Sequence, residues 1–327
     1  MTTNRRQTLL AAGAALASPA FTTAGLIGAR PAFAAAPMLG PARPRFYRFQ
    51  LGAFEVTTLL DGAIQLDGPH PIFGENQPAE DVAAHAEANF LPPDRMEISF
   101  APVMVNTGDH LVLFDAGNVA ARRPGAGNLV AAIEAAGMSA DQVDTVVITH
   151  MHGDHIGGLL TEGAPTFTNA AYVAGQVEFD FWRHDDRLSG PTEGNAQLVR
   201  SNVLPLAEKT RFIGDDTEVV PGITSLAAFG HTPGHLAFHL ESEGQRFLLW
   251  ADTSNHYAMS VQRPEWHVRF DMDKEAAIAT RKRLFDMANA ERLPVAGYHM
   301  PFPAVGYVDR TNAGDYRWVQ ASYQLNL

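Results

Sequence analysis

The stretch ITHMHGDHIGG, residues 148–158, places three histidines and an aspartate within six positions, directly behind the apolar run Val146, Val147, Ile148. In an extended segment alternate side chains share a face, so His150 and His152 point the same way off a strand end and can bind one ion. Gly153 is expected to permit a tight turn that brings Asp154 and His155 round to a second position. An ion such as zinc takes about four ligands, so the stretch alone cannot complete either site. The chain has to fold so that residues distant in sequence arrive at this strand end.

The candidates close other apolar runs, where loops carry function on a rigid scaffold. His231 follows LAAFG and opens HTPGH, Asp252 ends RFLLWAD, and His299 ends LPVAGYH. Each alone also reads as a hydrogen-bonded strand-end residue, and Asp252 as the cap of a following turn. Beside the first stretch they read as ligands. The chain has no cysteine, which excludes disulfides and any thiolate site, so the ligands are imidazole and carboxylate.

With 46% hydrophobic and 18% charged residues among 327, the chain is expected to be a folded globular protein. Residues 1–35 read as a twin-arginine export leader: Arg5 and Arg6, a small-residue apolar stretch from Leu9 to Gly28, and the A-x-A motif Ala32, Phe33, Ala34. The alternative is an N-terminal membrane anchor, for which the stretch is weakly apolar. The expected location is periplasmic or secreted, with no stable membrane insertion once the leader is gone. Its loss removes Arg5, Arg6 and Arg30 and takes the formal charge from −12 to −15. An acidic chain without a basic cluster cannot neutralise phosphates, so nucleic acid is excluded as a partner and a small-molecule substrate expected.

The mature part, 36–327, reads as one domain without a sharp linker or short repeat. Strand-like runs are FYRFQLG, FEVTTLLDG, APVMVNTGDHLVLFDAG and DTVVITH, then ITSLAAFGH, LAFHLES, RFLLWADTS and LPVAGYH. Helices are expected over Gly127–Met138 and Lys274–Glu291. Mixed strands with helices from both halves imply sheets inside and helices outside.

In that order HMHGDH, HTPGH, WAD and GYH resemble the H-x-H-x-D-H signature and later ligands of the metallo-β-lactamase superfamily. FYRFQLGAFEVTTLLDG, VNTGDHLVLFDAG, GHTPGHLAFHLESEGQRFLLWAD and DYRWVQASYQL resemble its methyl-parathion-hydrolase branch. The resemblance implies an α/β fold, an αββα sandwich, with two divalent ions per chain, zinc the expected metal. It places His150, His152 and His231 on one ion, Asp154, His155 and His299 on the other, and Asp252 between them, and it implies a homodimer. The lack of cysteine separates the chain from zinc β-lactamases that ligate the second ion with one. Ala251 stands where relatives usually have glycine, and Ala116 and Asn118 depart from a DTG-like turn; these bear on pocket shape.

Asp115 is expected either to orient a ligand histidine or to form a turn, and His235 to act behind the ligands. Trp182 is expected on the substrate pocket wall by resemblance, with Phe179 and Phe181 either there or packed as the core face of a helix. His256, close in sequence to Asp252, is expected to reach substrate. Two divalent ions sharing a water make it a nucleophile at neutral pH. The expected function is thus a hydrolase of lactones, esters or organophosphate triesters, with Asp252 and Asp154 as the catalytic carboxylates. The alternatives are a mononuclear iron persulfide-dioxygenase-like enzyme of the same fold and a non-catalytic metal-binding protein.

Overall fold

The protein is described by a computed structural model that covers residues 37–322; the expected leader, with Arg5 and Arg6, lies outside the described residues. Every element below belongs to the compact unit that begins at Arg43. Among the described residues no helix is long and apolar enough to cross a membrane.

The hairpin β1 (Phe46–Leu51) and β2 (Phe54–Leu59) opens the unit, followed by a two-stranded ribbon of β3 (Gly62–Asp67) and β4 (Arg95–Phe100) with α1 (Ala79–Ala88) in its connection. Next come β5 (Val103–Asn106), β6 (Leu111–Phe114), α2 (Leu129–Ala135), β7 (Thr145–Ile148) and the single turn α3 (Gly153–Ile156). The short pair β8 (Leu160–Thr161) and β9 (Ala164–Pro165) leads to β10 (Ala171–Gly175), α4 (Gln176–Trp182), α5 (Glu193–Asn202) and β11 (Thr210–Ile213). These build a seven-stranded sheet in the order β1-β2-β5-β6-β7-β10-β11.

The second sheet runs in sequence order: β12 (Glu218–Val220), β13 (Ile223–Ala227), β14 (Leu236–Ser242), β15 (Gln245–Ala251), β16 (Pro294–Gly297), β17 (Val305–Arg310) and β18 (Tyr316–Gln320), with α6 (Lys274–Glu291) crossing between β15 and β16. Strands buried on both faces need apolar side chains on both. Val112, Phe114 and Val147 of the first sheet meet Phe238, Phe247 and Leu249 of the second in the core between them. The alternate residues Leu113, Val146 and Ile148 turn outward onto α2 and α5 through Leu129, Ile133, Ala196 and Val199. On the other side Leu248 and Trp250 pack against Leu284, Phe285 and Ala288 of α6. Helix, sheet, sheet, helix is the layered result.

One expectation shifts. Helix α2 is shorter than Gly127–Met138 because Gly127 and Gly137, with φ of 83° and 84°, stop it at both ends. Gly153 opens the single helical turn α3, which brings Asp154 and His155 round to the site, and it packs closely on α5, where a Cβ would fall 2.9 Å from Leu198 Cδ1; its backbone takes no left-handed φ.

Candidate metal centre

Parallel pairing of β6 with β7 and of β15 with β16 aligns their carboxyl ends. Asp115 follows β6, His150 and His152 follow β7, Asp252 follows β15 and His299 follows β16, while His231 sits in the β13–β14 connection. The sheets are sewn together here by backbone: Leu236 N–H of β14 donates to Thr149 O, just after β7, at 3.0 Å, and Ala101 N–H, ahead of β5, donates to Tyr298 O, just after β16, at 2.9 Å.

All seven expected ligands converge in overlapping groups, His150 with His152 and His231, His150 with His155 and Asp252, and Asp154 with His155 and His299. His152 Nδ1 lies 3.1 Å from His150 Nε2 and 3.0 Å from His231 Nε2. Asp252 faces both ends: Oδ2 is 3.3 Å from His231 Nε2 and 3.0 Å from His299 Nε2, and Oδ1 is 3.3 Å from His155 Nε2. Asp154 Oδ2 stands 3.5 Å from His299 Nε2 and 3.7 Å from His155 Nε2.

Whether this donor set suits cations is decided by where the lone pairs point. His155 Nδ1–H donates to Asp115 Oδ2 at 2.8 Å, His231 Nδ1–H to Asp271 Oδ1 at 2.9 Å and His299 Nδ1–H to Ser99 O at 2.9 Å. His150 Nδ1 lies 3.1 Å from Thr149 Oγ1, whose hydroxyl is donated to Asp115 Oδ2 at 2.9 Å. With the outer nitrogens protonated, His150, His155, His231 and His299 each turn an Nε2 lone pair inward, while His152 presents its Nδ1, the arrangement by which proteins orient metal-binding imidazoles. His155 Nε2 and Asp252 Oδ1 are buried without a hydrogen-bond partner. Donors about 2.0–2.2 Å from a tetrahedral zinc stand about 3.3–3.5 Å apart, close to the spacing here. The residues fit two divalent ions.

The electrostatics agree. Burial, and then His155, pushes His150 well below the usual imidazole range; burial and His231 take His152 down to about 3. Burial also opposes charge on His231, but hydrogen bonds to Asp252 and Asp271 outweigh it and raise the ring to about 9. Burial works against the charge of Asp252 too, yet His299 and His155 hold its carboxyl well below the usual range. In the metal-free protein, imidazolium supplies the positive charge that ions would otherwise provide.

Asp115 and His235 stand directly behind the ligands. Asp115 also accepts Thr149 N–H at 2.8 Å, and His235 Nε2 accepts the Asp252 N–H at 3.1 Å while its Nδ1–H donates to Ala228 O at 3.0 Å. His256 lines a cavity of about 730 Å³ that reaches the ligand His299. Trp182 does not line that cavity. It is 2% exposed in the core beneath α4, its indole N–H donating to Glu178 Oε1 at 2.7 Å. A seven-residue helix laid on the first sheet buries one face, and Trp182 falls on it with Phe179; Phe181 packs edge-on to the indole. Trp182 is therefore corrected from pocket wall to core.

Several supports were not apparent in sequence. Asp271 behind His231, its partner Arg281, Asn255 on Asp252 Oδ2 at 3.0 Å, and Tyr298, which stacks on His155 and donates to Asp154 O at 2.6 Å, all come from far along the chain or from unpatterned loops.

Comparison with known proteins is consistent with this geometry. An N-acyl homoserine lactonase of Bacillus thuringiensis is 25% identical over 208 residues, 60% of this chain and 76% of that protein. A solved hydrolase of the beta lactamase superfamily, AbOPH, superposes with a TM-score of 0.78 at 25% identity, over 86% of this chain and 99% of that one. AidC, a dizinc quorum-quenching lactonase in complex with the product N-hexnoyl-L-homoserine, shares the fold with a TM-score of 0.77 at 22% identity, over 85% and 98% of the two chains. The profile described as Metallo-beta-lactamase superfamily matches residues 102–296, a span that takes in six of the seven donors. This chain belongs to the metallo-β-lactamase superfamily.

Proposed function

We propose that this protein is a two-metal hydrolase, zinc-loaded, that opens the ring of lactones carrying an apolar acyl group. The observation that carries the reading is the sharing of Asp252 between two complete donor groups at the end of an apolar cavity. Names of relatives supply the substrate class: the Bacillus protein is an N-acyl homoserine lactonase, and AidC is a dizinc lactonase. Two divalent ions at such a site polarise a carbonyl oxygen and make water acidic enough to attack near neutral pH.

The residues divide the remaining work. His150, His152 and His231 would hold one ion and Asp154, His155 and His299 the other, with Asp252 facing both groups. Asp154, the more exposed of the two ligand carboxylates at 20%, is placed to carry, on the oxygen turned away from His155 and His299, the proton that leaves the attacking water and must reach the departing ring oxygen. The acyl carbon–oxygen bond breaks as the new one forms, leaving a hydroxy acid. Leu91, Met96, Met259 and Phe302 line the cavity and offer apolar surface to an acyl chain; its volume suits a small-molecule ligand. The net charge of −12 disfavours polyanions and tolerates neutral lactones.

Metal analysis of protein purified without chelator, beside rates on acyl lactones, aryl esters, phosphotriesters and β-lactams, tests the reading. About two zinc ions per chain and a kcat/KM for acyl lactones about tenfold or more above the other classes are expected. Preference for phosphotriesters would overturn the substrate class. A single iron per chain would overturn the two-metal reading in favour of a dioxygenase-like enzyme.

A further inference from the structure

Glu178 is not among the grouped donors, yet it is a carboxylate only 1% exposed, and among the described residues its partners are hydrogen-bond donors of the neutral backbone and indole. Its Oε1 accepts the N–H of Met151 at 2.9 Å and the indole N–H of Trp182 at 2.7 Å; its Oε2 accepts the N–H of Gly234 at 2.9 Å. Met151 stands between His150 and His152. Gly234 lies three residues beyond His231 and just before His235, which holds the Asp252 N–H. Asn195 of α5 donates its Nδ2–H to Met151 O at 2.7 Å, so both backbone groups of Met151 are held. The packing leaves no slack: a Cβ on Gly234 would fall 2.1 Å from Glu178 N, and one on Gly175 2.9 Å from Gly234 O.

We infer that Glu178 is a positioning residue whose carboxylate ties the His150–His152 loop to the His231 loop and so sets the spacing of the three imidazoles of the first ion. The inference rests on the two-metal reading above. Three converging donors require a group that offers lone pairs alone, which ionised carboxylate does; glutamine would turn its NH2 toward one of them. Donors of the second ion are held otherwise, His155 by Asp115, Asp154 by Tyr298 and His299 by Ser99 O. Loss of the clamp is therefore felt mainly at the first site.

The test is a titration of chelator-stripped protein with Zn²⁺ against a chromophoric chelator, and with Co²⁺ read by absorption, in backgrounds that each keep one site. In His299→Ala, which keeps the first site, adding Glu178→Gln is expected to weaken binding about tenfold or more and to alter the cobalt spectrum. In His231→Ala, which keeps the second site, the same change is expected to shift affinity less than about twofold. Trp182→Phe frees one of the three bonds while keeping a ring in place; a smaller loss confined to the first site supports the clamp even where the glutamine variant does not fold. Equal weakening in both backgrounds, in step with a lowered melting temperature, overturns it, as does unchanged affinity in His299→Ala. Fewer than two ions on the wild-type protein overturns the two-metal reading instead.

Discussion

Ala251 takes a left-handed φ of 47° at the register shift that ends β15. A side chain there costs about 1–2 kcal/mol, and the turn it makes delivers Asp252 to the centre. Local strain is thus borne directly beside a ligand residue. His256, on the cavity wall, is set differently. Its Nδ1 accepts the N–H groups of Ala258 and Met259 at 3.1 and 3.2 Å, which leaves the proton of the neutral ring on Nε2. Burial, with His85 adding, pushes its pKa down to about 4. As pH falls, the unfolded chain takes up this proton at the ordinary value near 6.5 and the folded chain only near 4. Stability is therefore lost across that window, by about 3 kcal/mol, and is unaffected above it. In His256→Asn, Oδ1 can accept in place of Nδ1 and nothing titrates. Melting temperatures between pH 7 and 4 should fall more steeply for wild type than for the variant; parallel curves would show that the ring is not held neutral.

At the scale of elements, α6 does more than cover the second sheet. It starts at Asp273, whose Oδ1 accepts the Ala276 N–H at 3.0 Å, and it buries Ala277, Arg281, Leu284, Phe285 and Ala288 along one face. The guanidinium in that stripe is fully buried and donates to Thr253 O at 2.9 Å, Pro264 O at 2.9 Å and Asp271 Oδ2 at 2.7 Å. Helix α6 therefore anchors both the residue after Asp252 and the carboxylate behind His231. Arg281→Met keeps much of the volume but strands a buried carboxylate, at a cost of about 3–5 kcal/mol. Thermal unfolding of the zinc-loaded variant is expected to show that loss; a change below about 1 kcal/mol would mean that Asp271 finds another partner. The helix itself was legible from Lys274 to Glu291, and an arginine amid its apolar positions was a readable sign of a buried partner. That the partner is Asp271 was not, since FDMD carries no pattern of its own.

For the whole molecule, the two sheets meet where seven donors and the buried carboxylates Asp115, Glu178 and Asp271 gather, so bound cations should belong to the folded state's stability. Stripping them with a chelator is expected to lower the melting temperature and zinc to restore it, with a gain of about 3 kcal/mol when free zinc is a hundredfold above its Kd. Differential scanning calorimetry checks this; indifference to chelation would separate the fold from its metals. The ligand candidates were readable in sequence because HMHGDH gathers four polar groups behind one apolar run and His231, Asp252 and His299 each end another, where a polar group has to be given a partner. The continuous runs VVI and FLLW marked strands covered on both faces, and with them the layered fold. The half-exposed β3–β4 ribbon left no such mark, because one-sided burial writes too few apolar residues to be distinguished from a loop. Trp182 went astray for a related reason: an aromatic side chain looks the same in sequence whether it faces a cavity or a core, and only the packing of α4 on the first sheet, with Glu178 beneath the indole, chose between them. The sequence alone determined which atoms could bind metal; the tertiary structure decided their separations, their protonated nitrogens and their supports, because those depend on contacts between residues tens of positions apart that leave no local trace.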